Sequence, residues 1–389
     1  MERLWTKPYV LLTTGILFLF TAFYFLLPTL PPYVRELGGD ETHVGLAAGV
    51  FTFSAVVFRP LAGAWADRYG RKPLAIWGLA GFALTMALHS YAGGLVALIA
   101  LRILQGICWS FATTAIGTLI TDVIPPARRG EGLGWYGAAI TLAMAVGPLA
   151  GTRIVEHASF LHLFGAAAIL SFIPVFMAAA VRVPFRRTGA PARMLFIEKS
   201  LLPPMATAFL LTASYGGLVT FAPLFVPAVG GDPGLFFLVY ALVLLLSRPG
   251  AGRLVDKLGE ARVILPALCI AAAALAVLGL SRNETGVMAA AVLYAAGFGA
   301  AHPALQATVL RLAGPQRRGA ANASYMIAFD LGIGSGSVLL GWVSQYAGYP
   351  MVFISGAVFV AAAFALFALS ARRLAPAGER AGGTSGDDR

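Results

Sequence analysis

The chain has 389 residues, of which 59% are apolar and 12% charged, and its mean hydropathy is +0.80; a soluble globular fold is excluded by so few polar groups. The formal charge is +11, but the basic residues are scattered over the connections between apolar runs, which excludes nucleic acid as the partner. Cys108 and Cys269 both fall inside apolar runs, which excludes a disulfide framework.

Twelve apolar runs follow one another, each near the ~20 residues that a bilayer core requires. They lie at about 8–30, 43–65, 73–93, 96–121, 132–154 and 160–182, then at about 201–226, 234–254, 262–281, 286–311, 321–345 and 350–371. Helices are expected throughout, because lipid cannot satisfy exposed backbone groups and the runs lack the alternation of barrel strands. The first run has no small-residue cleavage site and reads as a retained span. All but six of the 28 Lys and Arg residues stand at the chain ends or in the even-numbered connections, which puts both ends in the cytoplasm. The predicted organisation is a six-helix bundle over 1–182, a cytoplasmic linker over 183–199, a second six-helix bundle over 200–374 and a disordered tail over 375–389.

In chain order, the first run carries Thr13, Thr14, Thr21 and Tyr24 but no carboxylate. Arg59 lies within the second run, eight residues before Asp67 and so about 12 Å in from the cytoplasmic face. The connection after it reads Gly63-Ala-Trp-Ala-Asp67-Arg68-Tyr-Gly70-Arg71-Lys72. The fourth run contains Arg102-Ile-Leu-Gln105-Gly106 and ends at Asp122; the fifth contains Gly134, Gly147-Pro148 and Gly151. The second half then restates the first at an offset of 189 residues. Arg59-Pro60, Gly63, Asp67 and Gly70 return as Arg248-Pro249, Gly252, Asp256 and Gly259, and Arg128-Arg129-Gly130 returns as Arg317-Arg318-Gly319. Two blocks sharing one offset imply two halves built on one plan, as in secondary transporters with pseudo-symmetric halves. Glu260 stands where the repeat would put a second Arg71, and Asp330 where it would put a second Thr141.

These loops resemble the signature loop of the major facilitator superfamily, the twelve-span secondary transporters. The resemblance covers about residues 8–371 and implies an all-α membrane protein: twelve transmembrane helices in two pseudo-symmetric bundles. By that likeness Gly63, Asp67, Arg68, Gly70, Arg71, Lys72, Asp122 and Asp256 form a cytoplasmic latch, with Gly63 admitting close helix approach and Gly70 a tight turn. The plainer alternative is that these charges only fix topology. Arg102 resembles an intramembrane Arg linked to proton coupling; about 9 Å deep, it either faces the cavity or snorkels outward. Gly134, Gly147, Pro148 and Gly151 resemble the motif of the exporting, proton-antiport branch and imply close packing of spans 5 and 8. Ala143 and Thr152 replace two of the glycines of that motif.

Asp330 lies about 15 Å from the cytoplasmic face, where an isolated carboxylate is costly. In the family fold spans 2 and 11 meet between the halves, which offers Arg59 as its partner; His302, about 14 Å deep, is the second candidate. Proton coupling through Asp330, Arg59, Arg102 and His302 is one expectation; a permanently ionised Asp330 capping the glycine-rich backbone near Gly332 is the other. The family cavity is lined by spans 1, 4, 7 and 10, which offer Tyr24, Trp109, Thr113, Tyr215, Tyr294 and Gln306, though such aromatics also serve as interfacial belts.

The function expected is proton-coupled efflux of a small amphipathic organic compound by alternating access, from a bacterial cytoplasmic membrane. The alternatives are export of a metabolite or metallophore, uptake of an organic solute, or a non-transporting receptor or scaffold. No cofactor is expected beyond the proton gradient. Lipids, protons and a small-molecule substrate are the expected partners of a monomer, and no nucleophile triad, phosphate loop or metal cluster points to an enzyme.

Overall fold

The computed structural model describes residues 3–125, 128–181, 199–313 and 318–374. The predicted linker lies outside the described residues apart from Lys199, and the predicted tail lies outside them entirely. Twelve α-helices are found among the described residues. They are α1 (Lys7–Glu36), α2 (Glu41–Tyr69), α3 (Arg71–Leu88), α4 (Leu95–Val123), α5 (Arg129–His157), α6 (Phe160–Ala180), α7 (Leu202–Ala228), α8 (Pro233–Leu258), α9 (Glu260–Leu280), α10 (Glu284–Leu312), α11 (Arg318–Ala347) and α12 (Tyr349–Leu374). Eleven are long and apolar enough to cross a membrane, and α8 contributes a shorter apolar stretch, Pro233–Ser247. No strand occurs among the described residues.

The helices begin and end where the local chemistry directs. Asp40 caps α2: its side chain accepts from the backbone N–H of His43 at 2.9 Å, and this bond holds its carboxyl below the usual carboxylate range. Asn283 caps α10 in the same way through Gly286 N–H. The turns α2–α3 and α8–α9 pass through Gly70 at φ +102° and Gly259 at φ +84°. Any Cβ would be strained there, so the repeat keeps glycine at both positions.

The packing of the halves repeats as well. In the first, α1 packs on α5 and α6, α2 on α4, and α3 on α4 and α6. Adding six to each number gives the second half: α7 on α11 and α12, α8 on α10, and α9 on α10 and α12. The main seams between halves, α2 with α11 and α5 with α8, exchange under the same operation. The molecule is therefore two copies of one bundle related by a pseudo-twofold axis, as duplication implies.

Small residues set the closest approaches. A Cβ at Gly45 of α2 would lie 2.4 Å from the Ser337 carbonyl oxygen of α11, so only glycine lets these helices touch across the halves. Two expectations about glycines are corrected. Gly147 and Gly151 of α5 face α1, where a Cβ would meet Tyr24 Cβ at 2.5 Å and the Phe25 carbonyl oxygen at 2.6 Å; they do not make the α5–α8 contact. That contact instead uses Gly234 of α8, where a Cβ would lie 2.6 Å from Thr152 Oγ1, so the glycine missing from α5 is supplied by its neighbour. Gly63 and Gly134 have nothing within 4 Å of a Cβ position, so neither sets a close helix approach in this conformation.

Candidate functional site

Between the halves lies a cavity of about 400 Å³. Its walls come from α1, α2, α4 and α5 on one side and α7, α8, α10 and α11 on the other. Apolar and aromatic groups dominate, and Arg59, Arg102 and Asp330 are its charged side chains.

Asp330 and Arg59 join the halves inside this cavity. Arg59 Nη2 donates to Asp330 Oδ2 at 2.7 Å, with 28% and 19% of the two side chains exposed. Arg59 stands ten residues before the inner end of α2 and Asp330 twelve after the start of α11, so the pair lies about 15–18 Å from the inner face. The seam brings them together: one helical turn beyond Asp330, a Cβ at Gly334 would lie 3.3 Å from Thr52 Cβ on α2. No hydrogen bond among the described residues ties Asp330 to the backbone around Gly332.

The other bonds between halves lie farther out. Arg35 bonds both Glu41 and Tyr349, the Tyr349 hydroxyl donates to Glu41 at 3.2 Å, and the Glu41 backbone N–H donates to Gln345 Oε1 at 3.2 Å. Arg153 of α5 meets Asp232 at the head of α8 at 3.0 Å. In this conformation the halves are pinned at the outer end, with Arg59–Asp330 the innermost described bond between them.

Arg102 does not snorkel. Its side chain is 4% exposed, its Nε donates to the Ala47 carbonyl at 3.0 Å, its Nη1 donates to Gln105 Oε1, and its guanidinium sits 4.4 Å over the Phe51 ring. The reason is local. A Cβ at Gly106 would lie 2.2 Å from the Phe51 carbonyl oxygen, so α4 is drawn onto α2, and one turn earlier Arg102 reaches Ala47. His302 lines the same cavity, stacked on Phe298 at 5.7 Å and edge-on to Phe329 at 4.7 Å. It is a second titratable group near Asp330, while the described bonds of Asp330 run to Arg59.

Tyr24, Trp109, Thr113 and Tyr215 line the cavity. Tyr294 and Gln306 do not, and the expectation for them is corrected. Tyr294 is 1% exposed and shares a hydrogen bond with Ser214 at 2.9 Å, so it packs behind the wall between α7 and α10. Gln306 turns to α11 and donates to Asn322 at 2.7 Å. Sequence reasoning missed Phe20, Phe23, Phe51, Tyr240, Phe298 and Phe329 on the wall. One signal was available: Phe20, Tyr24 and Leu27 fall at helical spacing on α1, as do Phe298 and His302 on α10.

On the inner face Arg71 pairs with Asp122, tying α3 to α4. Lys72 donates to the Ala179 carbonyl at 2.6 Å, and Arg68 lies 5.2 Å over the Tyr69 ring. In the second half Glu260 holds Arg311 through two bonds of 2.8 and 2.6 Å. The side chains of Asp67 and Asp256 lie outside those described. Among the described residues no group of three His, Cys, Asp or Glu residues could hold a metal.

The family model described as Major Facilitator Superfamily matches residues 12–247 and, again, 205–386. Among curated proteins the chain is similar to the uncharacterized MFS-type transporter YhhS of Escherichia coli (strain K12), 28% identical over 359 residues, covering 87% of this chain and 86% of that one. Its fold matches the bacterial homolog of the human lysosomal transporter Spinster in an inward-facing, occupied conformation: TM-score 0.82, 16% identity, 96% and 98% of the two chains covered. It also matches the nucleoside transporter NupG, with TM-score 0.76, 17% identity and 94% and 99% covered.

Proposed function

The chain belongs to the Major Facilitator Superfamily of membrane transporters, and on that premise we propose that it is a proton-coupled exporter of a small amphipathic organic compound. The single observation that carries the reading is the Arg59–Asp330 pair: an ion pair on the cavity wall that joins one half to the other. A carboxylate in that position can hold a proton or a guanidinium, and the two states attract the opposite half differently. Protonating Asp330 would cancel the Coulomb attraction and leave a weaker neutral contact. Proton occupancy would thereby bias the equilibrium between a conformation pinned at the outer end and one closed at the inner end, which is what coupling requires. The aromatic cavity supports a substrate held by apolar contact and a few hydrogen bonds.

The cycle follows from these parts. With the outer bonds of Arg35, Glu41 and Asp232 made, substrate enters from the inner side. Closure of the inner ends then needs the outer pins to part, and proton transfer at Asp330 supplies the bias. The protein would work as a monomer in a bacterial cytoplasmic membrane, with no cofactor other than the proton gradient. The latch and coupling roles of Asp67, Arg71, Asp122 and Asp256 are part of the same proposal, resting on the repeat and on the Arg71–Asp122 pair.

The test is efflux from cells expressing the protein, with and without a proton uncoupler, repeated in proteoliposomes under an imposed pH gradient. Outward movement of an amphipathic dye that the uncoupler stops supports the reading. Movement unaffected by the gradient would overturn it.

A further inference from the structure

We propose that the compound carried is an amphipathic organic anion, its carboxylate or sulfonate held by Arg102; this rests on the transport reading above and names the substrate class of the same cavity. The charge count leads there. Of the three charged side chains on the wall, Arg59 and Asp330 neutralise one another, and no carboxylate among the described residues pairs with Arg102. The cavity therefore carries one positive charge without a counter-ion. Removing a guanidinium from water without such a partner is expensive, and an anionic ligand would offset that cost.

The geometry supports the same class. Nε and Nη1 of Arg102 are committed to Ala47 and Gln105, two neutral acceptors that orient the group without cancelling its charge. The described hydrogen bonds of Arg102 involve Nε and Nη1, which leaves Nη2 to a ligand oxygen. Around the guanidinium stand rings that suit an aromatic or fused-ring body: Phe51 stacks on Phe23 at 5.4 Å, and Phe23 on Trp109 at 4.6 Å. The facing wall supplies Tyr215 and Phe298, stacked at 4.8 Å. A cationic ligand finds no unengaged carboxylate on the wall, since Asp330 is held by Arg59 and a cation would have to break that pair to use it.

The test uses the full chain in detergent and in proteoliposomes, with two probes of the same apolar body, 1-naphthalenesulfonate and its neutral relative 1-naphthalenesulfonamide, and one larger apolar cation, tetraphenylphosphonium. On the unmodified protein, calorimetry should show the sulfonate binding at least tenfold more tightly than the sulfonamide, with no competition from the phosphonium. That preference should vanish in Arg102→Gln and return in Arg102→Lys. Equal affinity for sulfonate and sulfonamide, displacement by the phosphonium, a preference surviving in Arg102→Gln, or no binding of any probe would each overturn the proposal. The comparison of sulfonate with sulfonamide needs no variant and stands if Arg102→Gln does not fold. The two levels separate cleanly: a sulfonate that binds with this preference but is not moved by any gradient leaves the anion site standing and removes the transport reading. A phosphonium that is moved while the sulfonate is not does the reverse.

Discussion

Glu260 occupies the place that the 189-residue repeat assigns to Arg71, and each carries half of an ion pair with the opposite polarity. Arg71 meets Asp122, Glu260 meets Arg311, and both pairs span 51 residues between the same two positions of their half. The contact is kept while its charges are exchanged. Both pairs are partly exposed, where an ion pair contributes only about 0.2–1 kcal/mol, so their worth lies in fixing helix ends more than in stability.

Exchange of charge within one pair is therefore expected to be tolerated. Arg71→Glu alone sets a second carboxylate against Asp122 and should lower transport severalfold. The double variant Arg71→Glu with Asp122→Arg, which copies the polarity of the second half, should recover most of it. A transport assay on the four-member cycle checks this, and no recovery in the double variant counts against a role for the pair itself.

The α2–α11 seam depends on Gly45, whose Cβ position lies 2.4 Å from a backbone oxygen. Gly45→Val should part the seam and destabilise the outer-closed conformation by about 1–3 kcal/mol, as overpacking does. A fall of several degrees in the thermal midpoint in detergent, with loss of transport, is expected. Gly63→Ala, with open space around it, should leave the midpoint unchanged and serves as the control.

An anion leaving as a proton enters would move two positive charges inward per cycle at one-to-one stoichiometry. At about 2.3 kcal/mol per charge per 100 mV, the membrane potential would add about 4.6 kcal/mol per cycle at 100 mV. Collapsing the potential with valinomycin and potassium, at constant pH gradient, should therefore sharply reduce sulfonate accumulation. An electroneutral cation-for-proton exchange would be indifferent to it.

What the sequence made legible, and what it did not, follows from the physics of apolar helices. Span number, the repeat and the Gly70 and Gly259 turns are written in composition and spacing, because bilayer thickness and backbone strain act on local sequence. Rotation of each helix about its axis is not. A span that is apolar on every side carries no stripe to show which face meets lipid, which the cavity and which a neighbouring helix. Hence Tyr215 and Tyr294, similar in sequence context, part company: one is on the wall and the other behind it. Gly147 packs on α1 and not on α8 for the same reason. Asp330 was conspicuous because charge in a span is rare, and its distance to Arg59 required the fold.

The central claim is that proton occupancy of Asp330, acting through Arg59, drives the cycle. Its most direct test is proton-driven accumulation of substrate by Asp330→Asn in proteoliposomes, measured beside substrate exchange without a gradient. His302→Phe, which keeps a ring against Phe298 and Phe329 but removes the titratable group, is the companion variant. The account predicts that Asp330→Asn exchanges substrate but no longer accumulates it against a gradient, while His302→Phe still does. Full, unchanged accumulation by Asp330→Asn would contradict it.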